Sequence, residues 1–472
     1  MPGNHSRNPL LFILFRIFFN SRFYYPIYAV MFLDFGLSQE QFAQLNFAWA
    51  IAIVLLEVPS GALADQFGRK KLVVLASILM MIEMAVLLLM PAANPAQYEG
   101  DPGGLERAAW LLFAVFMANR IISGAAEAAA SGADEALAYD SLPSEERDHH
   151  WSKLTTQLMV WQSVGFIVVT MIGAAVYDPD FMNRLFGWMG SSLTFTQYVT
   201  LKIPIALTFL MGVGTFFIAC RMEENGVITH HPDKPLKEAV KASFARTFEA
   251  GHWILKTPAA LMLLLFGLCF DSIIRLYYTV GSIWLEVIGY QPVQFGLISV
   301  IGSLTGIVAA MLGKKLIDHR SPAFNFRLLT VLVFIGIFSL AFPIKYWSVL
   351  FLPALWISMR LLHFFISNYL NRVTLSENRA TVLSFRGLSM NLSYGIITML
   401  YSAQVWAIRQ KDGIDPVEAN QPEIVHSLFS TAVKWWWVYL LFAILGLISY
   451  QRIRIRKNWN QLLDKTDRRK VL

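Results

Sequence analysis

Charge and cysteine are both scarce in this chain of 472 residues. Asp, Glu, Lys and Arg make up 15% of it, against about a quarter in an average soluble domain. That shortage, with a mean hydropathy of +0.50, excludes a disordered chain and argues against a soluble enzyme. The two cysteines, Cys220 and Cys269, cannot build a disulfide framework. Both lie in or beside apolar runs and read as packing residues. No GxxxxGK[ST] loop is present, so ATP drive is not indicated. The pairs His149-His150 and His230-His231 lack the partner spacing of a metal site. No Ser/His/Asp set stands out. No catalytic role, cofactor or metal is therefore expected.

What is abundant is apolar: 56% of residues are hydrophobic, and 14% of the whole chain is aromatic. A spanning helix needs about 20 apolar residues, and the chain carries twelve such stretches. They lie near 9–33, 40–62, 71–91, 109–139, 153–177, 198–221, 257–285, 293–316, 325–343, 347–371, 380–407 and 431–451. The first is too long for a cleaved signal peptide, carries Arg16 and Arg22, and lacks a small-residue cleavage site. The expected fold is an all-α membrane protein of twelve transmembrane helices in two six-helix bundles.

With the N-terminus in the cytoplasm, 26 of the 39 basic residues fall on cytoplasmic segments, seven on the opposite side and six inside spans. The positive-inside bias then predicts a multi-pass inner-membrane protein with both termini cytoplasmic. The net charge of +7 is better explained by topology and anionic lipid than by nucleic acid.

The expected organisation is an N-terminal bundle over 1–221, a linker over 222–256, a C-terminal bundle over 257–451 and a basic tail over 452–472. In the linker, Leu236, Val240, Phe244 and Phe248 recur every four residues among Lys237, Lys241 and Arg246. This predicts an amphipathic helix that either lies on the membrane surface or simply tethers the bundles. Ser144-Glu-Glu-Arg147 after span four is echoed by Ser376-Glu-Asn-Arg379 after span ten. Gly61-Ala-Leu-Ala-Asp65 after span two is echoed loosely by Gly313-Lys-Lys-Leu-Ile-Asp318 after span eight. Their matching placement predicts two related halves.

Between spans two and three stands Gly61-Ala-Leu-Ala-Asp-Gln-Phe-Gly-Arg-Lys-Lys71, and span four holds Arg120-Ile-Ile-Ser-Gly124. The first resembles the signature loop of the major facilitator superfamily, in the topological place where that family carries it. The second is similar to the family's arginine-x-x-x-glycine pattern. The resemblance implies secondary transport by alternating access, with spans one, four, seven and ten lining the cavity. It also implies a cytoplasmic gate of Gly61, Asp65, Gly68, Arg69 and Asp140. In that gate Gly61 allows close helix approach, and Asp65 accepts N–H groups at the start of span eleven near Arg379. Gly68 makes a tight turn, and Arg69 pairs with Asp140. The competing reading is an ordinary turn with topology charges. Span five, Gly165-Phe-Ile-Val-Val-Thr-Met-Ile-Gly173, lacks the glycine-proline pattern frequent in proton-driven drug exporters of the family.

Ionisable residues inside spans are costly and functional by default. The six arginines within spans are Arg16, Arg22, Arg120, Arg275, Arg360 and Arg386, five of them on the implied cavity helices. Glu127 and Asp271 are the proton-coupling candidates, set against a reading as static ion pairs; Asp271 and Arg275 are spaced to pair within one helix. Candidate solute-binding residues are Asn20, Arg22, Tyr24, Arg275, Tyr278, Arg360 and His363, with Tyr369 as a further ring contact. Arg22 and Asn20 point to opposite sides of a straight helix, so a bend at Pro26, or a pair between Arg22 and Glu57, is an alternative. His363 also reads as a hydrogen-bonded packing residue. The expected protein is a monomeric, proton-coupled transporter of a small anionic or zwitterionic organic solute. Export is favoured over proton-linked uptake. A sensor on the same fold would be expected to append a signalling domain, and this chain has only short tails.

Overall fold

The computed structural model describes residues 7–93, 98, 102–143, 145, 147–224, 236–374, 379–416 and 418–455. Parts of both echoed loops (144, 146 and 376–378), the His230-His231 pair and the tail beyond residue 455 lie outside the described residues.

All regular structure among the described residues is helical. The first unit by compactness comprises residues 1–37, 48–243 and 291–300, and the second comprises 38–47, 244–290 and 301–472. The first holds α1 (Asn8–Phe19), α2 (Tyr28–Asp34), most of α3 (Gln39–Phe67), α4 (Arg69–Leu89), α5 (Pro102–Ala130) and α6 (Ala133–Asp140). It continues through α7 (Arg147–Tyr177), α8 (Pro179–Trp188), α9 (Gln197–Thr200) and α10 (Ile203–Arg221). The second holds most of α11 (Leu236–Lys256), α12 (Pro258–Val287), most of α13 (Pro292–His319), α14 (Pro322–Ala341) and α15 (Leu352–Val373). It ends with α16 (Arg379–Lys411), α17 (Pro422–Val433) and α18 (Trp436–Tyr450). Ten of the helical stretches are long and apolar enough to cross a membrane by length and composition. The α1–α2 pair and the more polar α16 complete the twelve.

In the first unit α4 is central and touches α5, α6 and α10. Leu72, Val73, Ala76, Met80, Met84 and Leu87 are buried along it, the three-to-four spacing of an inward helix face. Two of the unit's spans are broken. After Phe19 the chain leaves the helix and resumes through a 3-10 turn at Tyr25–Ile27, where Pro26 sets the backbone of the new start. The exposed backbone is satisfied locally: Asn20 Nδ2 donates to the Arg16 carbonyl at 2.8 Å, and the Phe23 N–H donates to Thr208 Oγ1 at 3.0 Å. Gly173 of α7 lies against this segment so closely that a Cβ there would stand 1.8 Å from the Phe23 carbonyl oxygen. The span-five glycine thus makes room for an unwound span one. The second break is at Ser131-Gly132, where Gly132 takes φ +76° between α5 and α6.

In the second unit α12 runs unbroken and packs against α15, α16, α17 and α18. The first turns of α3 belong to this unit. Gln39 Nε2 donates to the Val425 carbonyl at 2.7 Å, Tyr401 Oη donates to Gln39 Oε1 at 2.8 Å, and Arg409 Nε meets Glu40 Oε1 at 2.7 Å. The helix expected in the linker is α11, and of its expected stripe Leu236, Val240 and Phe244 are half-buried while Lys237, Lys241 and Arg246 are exposed. Ala250, Gly251 and Ile254 are buried, and a Cβ on Gly251 would stand 2.5 Å from Phe385 of α16. Phe248, assigned to the apolar stripe, is 71% exposed. Gly251 lets the last turns of α11 approach α16 closely.

Candidate functional site

The first unit carries a buried charge cluster built by three helices. The break after Phe19 turns Arg22 inward, where its Nη1 lies 2.8 Å from Glu83 Oε2 of α4. The other Glu83 oxygen is 3.9 Å from Arg120 Nη1 of α5. Arg120 also lies over the rings of Tyr28 and Trp49, at 5.7 and 5.6 Å, and Asn119 Nδ2 donates to the Glu83 carbonyl at 2.6 Å. Gly124 clears the way for this packing: a Cβ there would lie 2.7 Å from Ala52.

This corrects one expectation: Arg22 pairs with Glu83 and not with Glu57. Arg22 and Tyr24 are each 2% exposed. Asn20 is exposed, but its amide is held by its own helix end. Glu83 was missed, although a lone carboxylate inside an apolar run is itself a signal. Glu127 is half-buried, and its side chain makes no hydrogen bond or ion pair among the described residues. Arg22, Arg16 and Arg120 act on it only through their charge. Two residues beyond Gly132, Asp134 is ion-paired to Arg16 of α1, with Nη2 to Oδ1 at 2.8 Å.

The second unit carries the other cluster. Asp271 of α12 has no exposed side-chain surface and is held from two sides: Arg275 Nη2 at 2.7 Å and His363 Nε2 of α15 at 3.0 Å. Arg275 also donates to Asn391 Oδ1 of α16 at 2.8 Å and lies over the Tyr394 ring at 5.2 Å. Arg275 and His363 remain 22% and 39% exposed. Arg360 is exposed beside Gly306, with its Nε 3.6 Å from where a Cβ would sit, and its charge reaches Tyr278. Tyr278 is 45% exposed, whereas Tyr369 is fully buried and bonded to Asn325 at 2.7 Å. Tyr369 therefore packs inside this unit. Arg386 of α16 was noted from the sequence only as a charge off the cavity helices. Its Nε and Nη1 are buried without a hydrogen-bond partner, and its charge partner is Asp271.

On the loop between α3 and α4, Gly68 adopts φ +100° and turns the chain in one residue. Arg69 pairs with Asp140 at the end of α6. Glu224, just beyond α10, accepts the N–H groups of Arg69 and Lys70 at 3.2 and 2.7 Å. A carboxylate at a helix N-terminus matches the positive end of the dipole, so Glu224 plays toward α4 the part expected of Asp65 toward span eleven. Asp65 itself is exposed; its expected partner adjoins residues 375–378, outside the described residues. Gly61 serves no close approach, since a Cβ there would meet nothing within 4 Å.

Residues 10–399 match the profile of the Major Facilitator Superfamily. The chain belongs to the major facilitator superfamily. It is thus an integral multi-pass membrane protein with a transporter fold and not an enzyme. The crystal structure of the nucleoside transporter NupG is similar, with a TM-score of 0.63 at 11% identity over 96% of this chain and 100% of that one. So is a bacterial homologue of the human lysosomal transporter Spinster, with 0.63 at 14% over 95% and 96%. The xylose transporter XylE from E. coli gives 0.56 at 14% over 91% and 95%. No curated protein sequence matches significantly. At these identities the structural likeness establishes the major facilitator fold and nothing about the solute.

Proposed function

We propose that this major facilitator exports a small organic anion in exchange for protons. In this reading it works as a monomer in a bacterial inner membrane, with both termini cytoplasmic. The observation that carries the reading is the charge balance of the second unit. At membrane depth Arg275, Arg360 and Arg386 stand against one carboxylate, Asp271, which Arg275 and His363 already engage. Uncompensated cations in a poorly hydrated place favour an anionic guest. Arg275, Arg360, His363 and Tyr278 are the contacts this reading assigns to the solute.

Protons are carried by Glu127. It is a carboxylate at depth with neighbouring arginines but no ion pair, so its protonation costs no bridge. Asp271, bound on two sides, holds the solute arginine in place and is the less suited proton carrier. The loop from Gly61 to Lys71 acts as the cytoplasmic gate, with the Arg69–Asp140 pair and exposed Asp65 as its charged parts. Export rests on the resemblance of this loop, with Arg120, to exporters of the family.

The test is flux in proteoliposomes under an imposed pH gradient. Glu127→Gln is expected to remove acceleration by the gradient while leaving solute exchange at equal pH. Gradient-dependent flux that survives in this variant would reject the coupling role.

A further inference from the structure

Arg386 presents a specific mismatch. Two of its three guanidinium nitrogens, Nε and Nη1, are buried and donate to no acceptor among the described residues. A buried donor left without an acceptor is costly, and more so when charged. Such a group is tolerated where an acceptor arrives with a ligand.

Its position is well determined by its neighbours on α16. Phe385 is set against Gly251 of α11, and Met390 against Gly267 of α12. Tyr394 lies under Arg275 and bonds to Thr279 at 2.7 Å. Residues 386, 390 and 394 share one helix face, and that face meets the row of α12 that carries Gly267, Asp271 and Arg275. Arg386 therefore enters the polar cluster on the same side as Arg275. Asp271 is within electrostatic reach, but its oxygens lie on Arg275 and His363. Arg275 is likewise spent on Asp271 and Asn391. Among the described residues, Arg386 is a cation of this cluster whose buried Nε and Nη1 donate to no acceptor.

We infer that Arg386 is the anchor of an oxyanion subsite, the point where a carboxylate or phosphoryl group of the solute docks. The two open nitrogens lie on different edges of the guanidinium, so each edge keeps one N–H to share with Nη2. A planar fork of this kind suits two oxygens of one acid group better than a diffuse negative charge. Arg275, fixed by its partners and stacked on Tyr394, serves as a second positive wall, and Asp271 keeps it from closing onto the guest. This inference rests on the anion-transport reading and adds to it a specific acid group and a residue outside the four implied cavity helices.

The test uses the full chain in detergent and reads the thermal unfolding midpoint, with no flux required. Sodium benzoate and sodium phosphate are titrated at matched ionic strength against sodium chloride, with benzamide as the neutral isostere of benzoate. One or both oxyanions are expected to raise the midpoint of the wild type, and benzamide is not. Arg386→Gln is expected to raise the concentration for half-maximal shift at least about tenfold, a loss of roughly 1.4 kcal/mol. Arg386→Lys, which keeps the charge and loses the fork, is expected to fall between and stands in if the Gln variant does not fold. A benzoate response assigns a carboxylate, and a phosphate response a phosphoryl group. Equal titrations in wild type and both variants, or no oxyanion response beyond chloride, would overturn the subsite. A wild type that shows the shift but moves no anion in proteoliposomes would instead sink the transport reading alone.

Discussion

Glu83 Oε2 stands 2.8 Å from Arg22 Nη1, with 0% and 2% of the two side chains exposed. The pair holds the unwound segment of span one against α4 and shares its carboxylate with Arg120. Removing one partner of a buried pair leaves a charge uncompensated, at about 3–5 kcal/mol. Glu83→Gln is expected to lower stability by that order in thermal or denaturant unfolding of the solubilised protein. Arg360→Gln, at an exposed residue, is expected to cost less than about 1 kcal/mol. Equal losses would contradict the structural role of Glu83.

The two glycines Gly61 of α3 and Gly68 between α3 and α4 are expected to behave differently. Gly68 has φ +100°, and a Cβ there would stand 3.1 Å from Glu224 Oε2. Gly68→Ala then costs about 1–3 kcal/mol from backbone strain and displaces the carboxylate that caps α4. Gly61→Ala meets open space and sits within a helix, where alanine is favoured by about 1 kcal/mol over glycine. Unfolding midpoints of the two variants check the difference in sign.

Gly173 and Gly165 sit two turns apart on α7. An added methyl at Gly173 collides with backbone, 1.8 Å from the Phe23 carbonyl oxygen, whereas at Gly165 it stands 3.3 Å from a methyl of Ile17. Gly173→Ala is expected to cost at least about 3 kcal/mol, the upper range for overpacking, and Gly165→Ala less than about 1.5 kcal/mol. Yield and unfolding midpoint separate them, and a well-folded Gly173→Ala protein would contradict the unwound conformation of span one.

Asp65 is exposed, so Asp65→Asn is expected to change stability by no more than about 0.5 kcal/mol. If the loop gates transport, turnover falls several-fold in this variant while the solute concentration for half-maximal flux holds. Unaltered turnover in proteoliposomes would leave the loop as a topology signal only.

Much of the architecture was legible because membrane depth imposes a simple rule. Backbone groups in lipid must bond within a helix, so long apolar runs name their own elements. Asp271 and Arg275 were legible as a pair because helix spacing alone brings residues four apart together. Arg69 and Asp140 were proposed as partners through the family's loop. What resisted reading was direction. The conflict between Arg22 and Asn20 on a straight helix hinted at a bend near Pro26, but the unwinding of Asn20–Tyr24 depends on Gly173 and Thr208 in distant helices. Glu83 and Glu224 escaped because their partners come from helices that sequence order does not pair. Arg386 escaped because orphaned donors are visible only once the surrounding acceptors have been placed.

The most direct test of the central claim is comparative metabolite profiling, inside cells and in the medium. It would compare cells that express the wild type, cells that express Arg275→Gln and cells without the gene. The account predicts that wild-type cells move one or a few carboxylated or phosphorylated solutes outward. That redistribution is expected to collapse with a protonophore and to be lost in Arg275→Gln. Redistribution confined to neutral or cationic solutes, or none sensitive to the protonophore, would contradict it.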